Sequence, residues 1–158
     1  MRIIFCTICL FVAILAKGQS GPKPFVLGVV DEIESKVLGE KRILNIYLPG
    51  GFMQEDSTGY PVIYLLDGSA DEDFIHVAGL VQFNTFSWIN RLPPCILVGI
   101  ATVDRRRDFT GSSAKFIQFI EEELQPYILG HYKGEYSKML IGQSLGGLLA
   151  TEILLKSC

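Results

Sequence analysis

The first third of the chain alternates between hydrophobic and polar positions with the period of two that is typical of β-strands. Val26 to Val37 is rich in β-forming residues, and Arg42 to Leu48 alternates between two faces. One face of this second segment carries Ile43, Asn45 and Tyr47, and the other carries Leu44, Ile46 and Leu48. Between the two segments, Leu38-Gly39-Glu40 favours a turn because glycine tolerates positive φ. The pattern therefore predicts an antiparallel pair of strands.

Three shorter runs further along the chain are apolar at nearly every position. They are Val62 to Leu66, Cys95 to Ile100 and Lys138 to Ile141. Such runs are typical of strands that are buried on both faces, as in a parallel sheet. Between the first two runs, the first half of residues 71–89 favours a helix.

Helical spacing also follows the second and third apolar runs. Ser112 or Ser113 is placed to cap a helix that Pro126 and Gly130 are expected to end. The predicted apolar face of this helix consists of Phe116, Ile117, Ile120 and Leu124. Leu145 to Leu155, rich in Leu and Ala, favours a further helix. The order of elements predicts an α/β fold with a mostly parallel central sheet and an antiparallel strand pair at its N-terminal side.

Residues 1–18 have the pattern of a secretory signal peptide. Arg2 precedes an apolar run from Ile3 to Ala16, and Ala16-Lys17-Gly18 offers small residues at the positions that a signal peptidase reads. The run is shorter than the roughly 20 residues that a membrane-spanning helix needs, and an uncleaved anchor is the alternative. The sequence predicts a secreted or periplasmic protein with no stable membrane insertion once the signal is removed.

The composition excludes some functional classes. The chain has 158 residues and a formal charge of −3, and it lacks the basic character that nucleic-acid binding requires. Cys95 and Cys158 are the cysteines beyond the predicted signal, and two such residues do not make a disulfide framework. The sequence shows neither metal-ligand spacing nor a dinucleotide or phosphate loop, so we expect no metal and no cofactor.

The candidate chemistry lies at Gly142-Gln143-Ser144-Leu145-Gly146, which fits the pattern G-x-S-x-G. A predicted strand precedes the pattern and a predicted helix follows it, as in the sharp strand-to-helix turn called a nucleophile elbow. In such a turn the serine backbone is strained, and its Oγ projects away from the chain. Glycine is expected at positions 142 and 146 because side chains there would collide. The alternative is an ordinary glycine-rich turn before a helix.

Four segments together resemble the "putative esterase" family. They are Tyr60-Pro-Val-Ile-Tyr-Leu-Leu-Asp-Gly68, Asp104-Arg-Arg-Arg-Asp-Phe-Thr110, Phe119-Ile-Glu-Glu-Glu-Leu-Gln-Pro-Tyr127 and Ile141-Gly-Gln-Ser-Leu-Gly-Gly147. This family includes S-formylglutathione hydrolases of the esterase D type and the enterochelin and salmochelin esterases, and the siderophore esterases are the most similar branch. The resemblance implies an α/β-hydrolase fold for residues 19–158, with the nucleophile after the fifth strand.

The resemblance also implies a set of site residues. Ser144 would be the nucleophile, and the backbone N–H of Leu145 would be one donor to the oxyanion. The second donor would come from the loop after the third strand, at Gly68 or Ser69. Apart from the resemblance, Asp67 and Asp108 are carboxylates near the expected carboxyl edge of the sheet, and Asp67 is a candidate to shape this loop. The substrate would be a small-molecule ester.

The histidine and the acid that complete such a site are missing from the expected positions. They normally follow the nucleophile along the chain, yet only 14 residues follow Ser144, none of them histidine, and Glu152 lies in the predicted helix. His76, in a predicted helix, and His131, in a predicted loop, lie upstream, and a geometric triad could recruit either. We therefore expect a C-terminally truncated portion of a hydrolase domain, nearly inactive alone, with an exposed edge strand.

Three hypotheses follow from these residues. The first is a carboxylic-ester hydrolase that forms an acyl-enzyme at Ser144. The second is a non-catalytic short form that binds a ligand or a partner through the same surface, and the third is an acyltransferase. The arginines 105–107 would either attract an anionic substrate or lie in a solvated loop, together with Asp108.

Overall fold

The predicted alternation of strands and helices is present in the computed structural model, which describes residues 21–53 and 59–156. The strands are β1 (Val29–Ser35), β2 (Glu40–Tyr47), β3 (Tyr60–Leu65), β4 (Ile96–Ile100) and β5 (Gly134–Ile141). The helices are α1 (Phe74–Thr85), α2 (Ser113–Phe119), α3 (Gln125–Tyr132) and α4 (Leu145–Lys156). The predicted signal peptide, residues 1–18, and Cys158 lie outside the described residues.

The five strands form one mixed sheet in the order β1-β2-β4-β3-β5. β1 pairs antiparallel with β2 and β2 antiparallel with β4, whereas β4, β3 and β5 are mutually parallel. The predicted α/β fold with an antiparallel N-terminal pair is thereby confirmed. Leu65 of β3 lies opposite both Gly99 of β4 and Ile141 of β5. The carboxyl ends of the three parallel strands therefore meet at one edge of the sheet, and the segments that follow them share that edge.

Helices cover both faces of the sheet. Because side chains alternate along a strand, Val62 and Tyr64 of β3 enter one core, and Ile63 and Leu65 enter the other. The first core is closed by α2, α3, α4 and the turns between them, and the second is closed by α1. Within residues 21–53 and 59–156, none of the helices has the length and apolar character needed to cross a membrane.

The segment after β4 departs from the prediction of a polar loop. It contains a π-helix, Arg107–Gly111, in which Asp108 and Phe109 are buried. Phe109 packs edge-on against Phe116 of α2, with ring centroids 5.6 Å apart. The many charged residues of this segment made it look polar, although Phe109 fixes it to the core. The interpretation of the segment as a solvated loop is therefore wrong.

The helix after this segment is longer than predicted. A π-helical turn, Ile120–Leu124, continues α2 directly into α3, so Pro126 does not end the helix. Proline is accommodated there because Pro126 lies at the junction where the π-helical turn gives way to α3, and the wider spacing of that turn already interrupts the regular hydrogen-bond ladder of an α-helix. The helix ends instead at Lys133, which caps it in the left-handed conformation with φ 52°. Ser112 precedes α2, but its hydroxyl makes no capping hydrogen bond.

β5 lies at the edge of the described sheet and pairs only with β3 there. Next to it, an open cavity of about 510 Å³ separates the outer part of β5 from α4 and includes Met139 and Leu154. These two side chains are 52% and 64% exposed. The edge of β5 and the outer side of α4 thus present a contiguous apolar surface, which lies apart from the candidate site described next.

Candidate active site

Ser144 occupies the turn between β5 and α4, at the carboxyl edge of the sheet. The residue is exposed, and its φ is 55°, a left-handed conformation that costs a non-glycine residue about 1–3 kcal/mol. Hydrogen bonds hold the turn: Gly146 N–H donates to the carbonyl of Gln143 at 2.9 Å, and Leu148 N–H donates to that of Ser144 at 3.0 Å. An exposed hydroxyl on a strained, hydrogen-bonded turn is the arrangement that a nucleophilic serine uses.

The two glycines of the G-x-S-x-G pattern are not equivalent. A Cβ at Gly142 would lie 2.5 Å from the carbonyl carbon and oxygen of Gly146, which are backbone atoms. A Cβ at Gly146 would lie 3.4 Å from its nearest neighbours, the Cβ of Leu66 and a carboxylate oxygen of Asp67. The predicted collision therefore exists at Gly142, whereas position 146 offers ordinary contacts to an added methyl group.

The backbone N–H of Leu145 lies in the first turn of α4, where a helix leaves its donors without intrahelical acceptors. In the described part of the chain, no acceptor is bonded to this N–H. The positive end of the helix dipole adds to the preference for negative charge at this place. The geometry is compatible with the oxyanion role that the sequence predicts for Leu145.

The loop after β3 lies beside this turn because Leu66 N–H donates to the carbonyl of Ile141, the last residue of β5, at 2.9 Å. Gly68 packs against the end of β4 so closely that an added Cβ would lie 2.3 Å from the Cα of Gly99. The N–H of Gly68 donates to the Ile100 carbonyl at 3.0 Å and is thus occupied. Gly68 therefore shapes this loop but does not offer its own amide.

Ser69 remains the candidate for the second oxyanion donor. Its N–H makes one long hydrogen bond, 3.3 Å, to the exposed carboxylate of Glu72. A substrate oxygen that binds this N–H must displace that carboxylate. The Ser69 hydroxyl also accepts a hydrogen bond of 3.4 Å from the backbone N–H of Thr102, which ties the loop to the segment after β4.

A partly buried ion pair that the sequence did not predict lies between the two loops. Asp67, 7% exposed and with φ 56°, accepts hydrogen bonds from the guanidinium of Arg105 on both carboxylate oxygens, at 2.8 and 3.0 Å. The same guanidinium donates to the carbonyl of Gln143 at 3.0 Å. The hydrogen bonds that its guanidinium donates to Asp67 raise the pKa of Arg105 further above its usual value. Arg105 therefore contacts both the loop after β3 and the residue that precedes Ser144.

The other charged residues of the segment after β4 form a structural cluster. Asp108, predicted near the carboxyl edge, is 1% exposed and lies 2.8 Å from the guanidinium of each of Arg42 and Arg107. Glu40 also pairs with both arginines. Arg42 is completely buried and lies over the Phe116 ring at 5.3 Å. Of arginines 105–107, only Arg106 forms no ion pair within the described residues.

Neither histidine is hydrogen-bonded to Ser144 within the described residues. His131 lies in the last turn of α3 rather than in a loop, stacked on Tyr127 with centroids 4.0 Å apart. α3 precedes β5 and Ser144 follows it, so the eight residues of β5 place His131 about 25 Å away at the opposite edge. His76 is exposed on α1, which covers the other face of the sheet from α4. In the described part of the chain, no hydrogen bond joins His76 to Ser144.

Glu152 is likewise occupied elsewhere. It lies two turns into α4, where it accepts hydrogen bonds from Lys156 at 2.7 Å and from the hydroxyl of Ser113 at 3.2 Å. The bond from Lys156 lowers the pKa of the Glu152 carboxyl. The bond from Ser113 links α4 to α2, whereas Lys156 belongs to α4 itself, and neither partner is a histidine.

The chain is similar to several proteins that are named as esterases. It is 29% identical over 143 residues to the ferri-bacillibactin esterase BesA of Bacillus subtilis (strain 168), a match over 73% of this chain and 50% of that protein. An IroE-like serine hydrolase from Shewanella oneidensis is 34% identical, with a TM-score of 0.76 over 82% of this chain and 46% of that structure. The enterochelin esterase from Shigella flexneri is 25% identical, with a TM-score of 0.66 over 85% of this chain and 34% of that structure.

The matches cover most of this chain but only part of each relative. The chain spans about half the length of the curated relatives it matches. Residues 35–157 match the family described as "Putative esterase", so the similarity includes β2 to β5, the loop after β3 and the turn at Ser144. The family resemblance expected from the four motifs is therefore confirmed, and the chain belongs to the "Putative esterase" family.

Proposed function

We propose that this chain carries the nucleophile and the oxyanion donors of a carboxylic-ester hydrolase. The observation that carries the proposal is the exposed Ser144, with φ 55°, between a strand of the sheet and the first turn of α4. Glycine would fit this left-handed φ without strain. A serine in its place therefore indicates that the hydroxyl has a function, which offsets the cost of the strain. The family match and the names of the relatives, two esterases and a serine hydrolase, support the same reaction class.

In the proposed reaction, the Oγ of Ser144 forms a bond to the ester carbonyl carbon and gives its proton to a base. The carbonyl oxygen becomes an oxyanion that accepts hydrogen bonds from the N–H groups of Leu145 and Ser69. The bond to the alcohol oxygen then breaks, and the alcohol leaves with a proton from the same base. Water attacks the acyl-enzyme in the second half of the reaction and releases the acid. One oxyanion donor is worth about 2.7–4 kcal/mol of transition-state stabilisation.

The base and its supporting acid are proposed to come from the part of the whole protein that lies outside this sequence. Two observations support this assignment. His131 lies at the far end of β5 and no hydrogen bond joins His76 to Ser144 in the described residues, and the chain covers about half of its curated relatives. The apolar surface of β5 and α4, including Met139 and Leu154, would be covered by that further part.

The proposed substrates are small-molecule esters, and we place siderophore lactones first among them. The support is the name of the BesA relative, a ferri-bacillibactin esterase, and that of the Shigella flexneri enterochelin esterase. The predicted signal peptide adds the proposal that the protein acts outside the cytoplasm.

The test compares the full-length protein with its Ser144→Ala variant on p-nitrophenyl acetate and on a catecholate trilactone. We expect the variant to lose about 10⁶-fold in kcat, the scale set by loss of a triad serine. A stoichiometric burst of p-nitrophenol would report the acyl-enzyme. Formation of an amide or a new ester when an amine or an alcohol is added would indicate acyl transfer instead. Unchanged turnover in Ser144→Ala would refute the nucleophile, and no turnover by either protein would favour the binding-protein alternative.

A further inference from the structure

The proposed function assigns no role to Arg105, although this side chain touches both loops of the candidate site. It is 35% exposed, and its partner Asp67 is 10% exposed, counting side chains. Arg105 has three hydrogen bonds to two separate segments, which are each strained at one residue. A side chain with such contacts could either stabilise the fold in general or fix the relative position of the two segments.

The contact with Asp67 controls the loop after β3. At Asp67 the chain turns, because Leu66 N–H donates to β5 at Ile141, whereas Gly68 N–H donates to β4 at Ile100. The φ of 56° at Asp67 makes this change of direction. A left-handed aspartate is unfavourable by about 1–2 kcal/mol, so other contacts must hold it. The bidentate pair with Arg105 supplies them, since guanidinium and carboxylate match in shape.

The contact with Gln143 controls the turn at the candidate nucleophile. The carbonyl of Gln143 accepts from Arg105 at 3.0 Å and also from Gly146 N–H at 2.9 Å. This carbonyl belongs to the peptide that leads directly into Ser144. Its orientation therefore constrains the φ of Ser144 and the direction of the Cα–Cβ bond that carries the hydroxyl.

The guanidinium is itself held in place. It lies over the ring of Phe109, 5.6 Å from the centroid, and Phe109 is 2% exposed. Thr102 donates its hydroxyl to the Asp67 carboxylate at 3.2 Å, which fills a further acceptor position. The neighbouring Arg106 makes no ion pair in the described residues, although it differs by only one position. The contacts thus select one arginine of the three-arginine run for this position.

We propose that Arg105 is a positioning residue that holds the nucleophile turn at Ser144 and the oxyanion loop at Gly68-Ser69 in the correct relative position. It acts through Asp67 and Gln143 and does not touch the reacting atoms. This inference rests on the proposed function, since it concerns the same site. The inference predicts that removing the Arg105 guanidinium, which bonds to both loops, impairs the chemical step and not substrate binding.

The test uses the full-length protein and the variants Arg105→Gln, Arg105→Lys and Arg106→Gln, with p-nitrophenyl acetate as substrate. We expect Arg105→Gln to lower kcat about 10²-fold, as for a misplacement of about 1 Å, with KM within about threefold of its original value. Arg105→Lys keeps the charge but loses the planar fork, and it should remain well below the original kcat. Arg106→Gln is the matched control and should leave kcat and KM unchanged.

A second readout separates positioning from general stability. In Arg105→Ala, added guanidinium ion should restore part of kcat, and the labelling of Ser144 by a small fluorophosphonate should be slowed and rescued in parallel. Combining Arg105→Gln with Asp67→Asn should cost little more than one change alone, because both remove the same contact. If Arg105→Gln does not fold, Arg105→Lys and the guanidinium rescue carry the same test.

The outcomes distinguish this inference from the proposed function. If Ser144→Ala is inactive but Arg105→Gln keeps its kcat, the positioning role is refuted and the nucleophile assignment stands. If Arg105→Gln raises KM alone, Arg105 binds the substrate and the inference is also refuted. If Ser144→Ala keeps its turnover, the proposed function itself fails.

Discussion

Gly142 and Gly146 stand at equivalent positions of the same motif, yet we expect alanine to be tolerated at only one of them. At Gly142 the added Cβ would meet backbone atoms of Gly146 at 2.5 Å and of Gly147 at 3.0 Å. Because these atoms belong to the first turn of α4, no side-chain rotation relieves the contact. At Gly146 the nearest atoms lie at 3.4 Å, which an alanine methyl accepts.

The size of the effect follows from these distances. Carbon atoms pack best at roughly 3.5–4.0 Å, so Gly142→Ala must push β5 and α4 apart by about 1 Å. Overpacking of this kind costs about 1–3 kcal/mol of folding free energy. The displaced segment contains Ser144, and a misplacement of about 1 Å at a reacting group lowers the rate about 10²-fold. In Gly146→Ala, the helix preference for alanine contributes up to about 1 kcal/mol in the stabilising direction.

The two variants of the full-length protein form a matched pair that differs only in the position of one methyl group. Urea denaturation would give the change in folding free energy, and hydrolysis of p-nitrophenyl acetate would give kcat. We expect Gly142→Ala to lower both and Gly146→Ala to leave both near their original values. The reasoning is refuted if the two variants are equally impaired, or if Gly142→Ala retains the original urea midpoint and kcat.

Two predictions concern residues away from the site. Glu123→Ala should lower the free energy of unfolding by about 2 kcal/mol, since Glu123 accepts three hydrogen bonds from the β1–β2 turn, including one of 2.5 Å from the buried hydroxyl of Ser35. An equal loss in the control Glu121→Ala, measured by urea denaturation, would contradict this. Burial and the hydrogen bond to Asp31 raise the pKa of Tyr127 to about 12, so stability should decline as the pH rises from about 10 to about 12. Asp31→Asn should lower this phenolic pKa in an absorbance titration, and an unmoved titration would exclude the contribution of Asp31.

Hydrophobic spacing predicted most of the fold because the sheet is buried on both faces. In β2, the alternation assigned Leu44 and Ile46 to one face and Tyr47 to the other, and these residues enter the two separate cores. The exception is Ile43, which shares a face with Tyr47 but is 49% exposed. α1 covers this face beside β3 and β4, whereas Ile43 pairs with Glu32 of β1 at the edge of the sheet. Periodicity gives the face of a strand, but the extent of the covering layer is decided by packing between distant segments.

The charged contacts could not be predicted from the sequence in the same way. Arg105 and Asp67 are 38 positions apart, and Arg107 and Glu40 are 67 apart. No local pattern specifies such pairs, because they depend on which strand ends become neighbours in the sheet. The order of strands, with β4 between β2 and β3, brings Asp67 and Arg105 to adjacent strand ends. The predicted place of Asp67 near the carboxyl edge of the sheet directed attention to it as a loop residue but did not identify its partner.

The strained residues of this edge give the strongest physical argument for a functional site. Asp67 and Ser144 follow neighbouring parallel strands, β3 and β5, and have φ values of 56° and 55°. Glycine would adopt either conformation without strain. A non-glycine residue at either position costs about 1–3 kcal/mol of stability, so stability alone does not explain why a side chain is present there. Asp67 uses its carboxylate to bind Arg105, which holds the turn at Ser144, whereas in the described residues the Ser144 hydroxyl has no such structural contact. The strain at Asp67 has a structural explanation, whereas the strain at Ser144 is the observation on which the proposed nucleophile role rests.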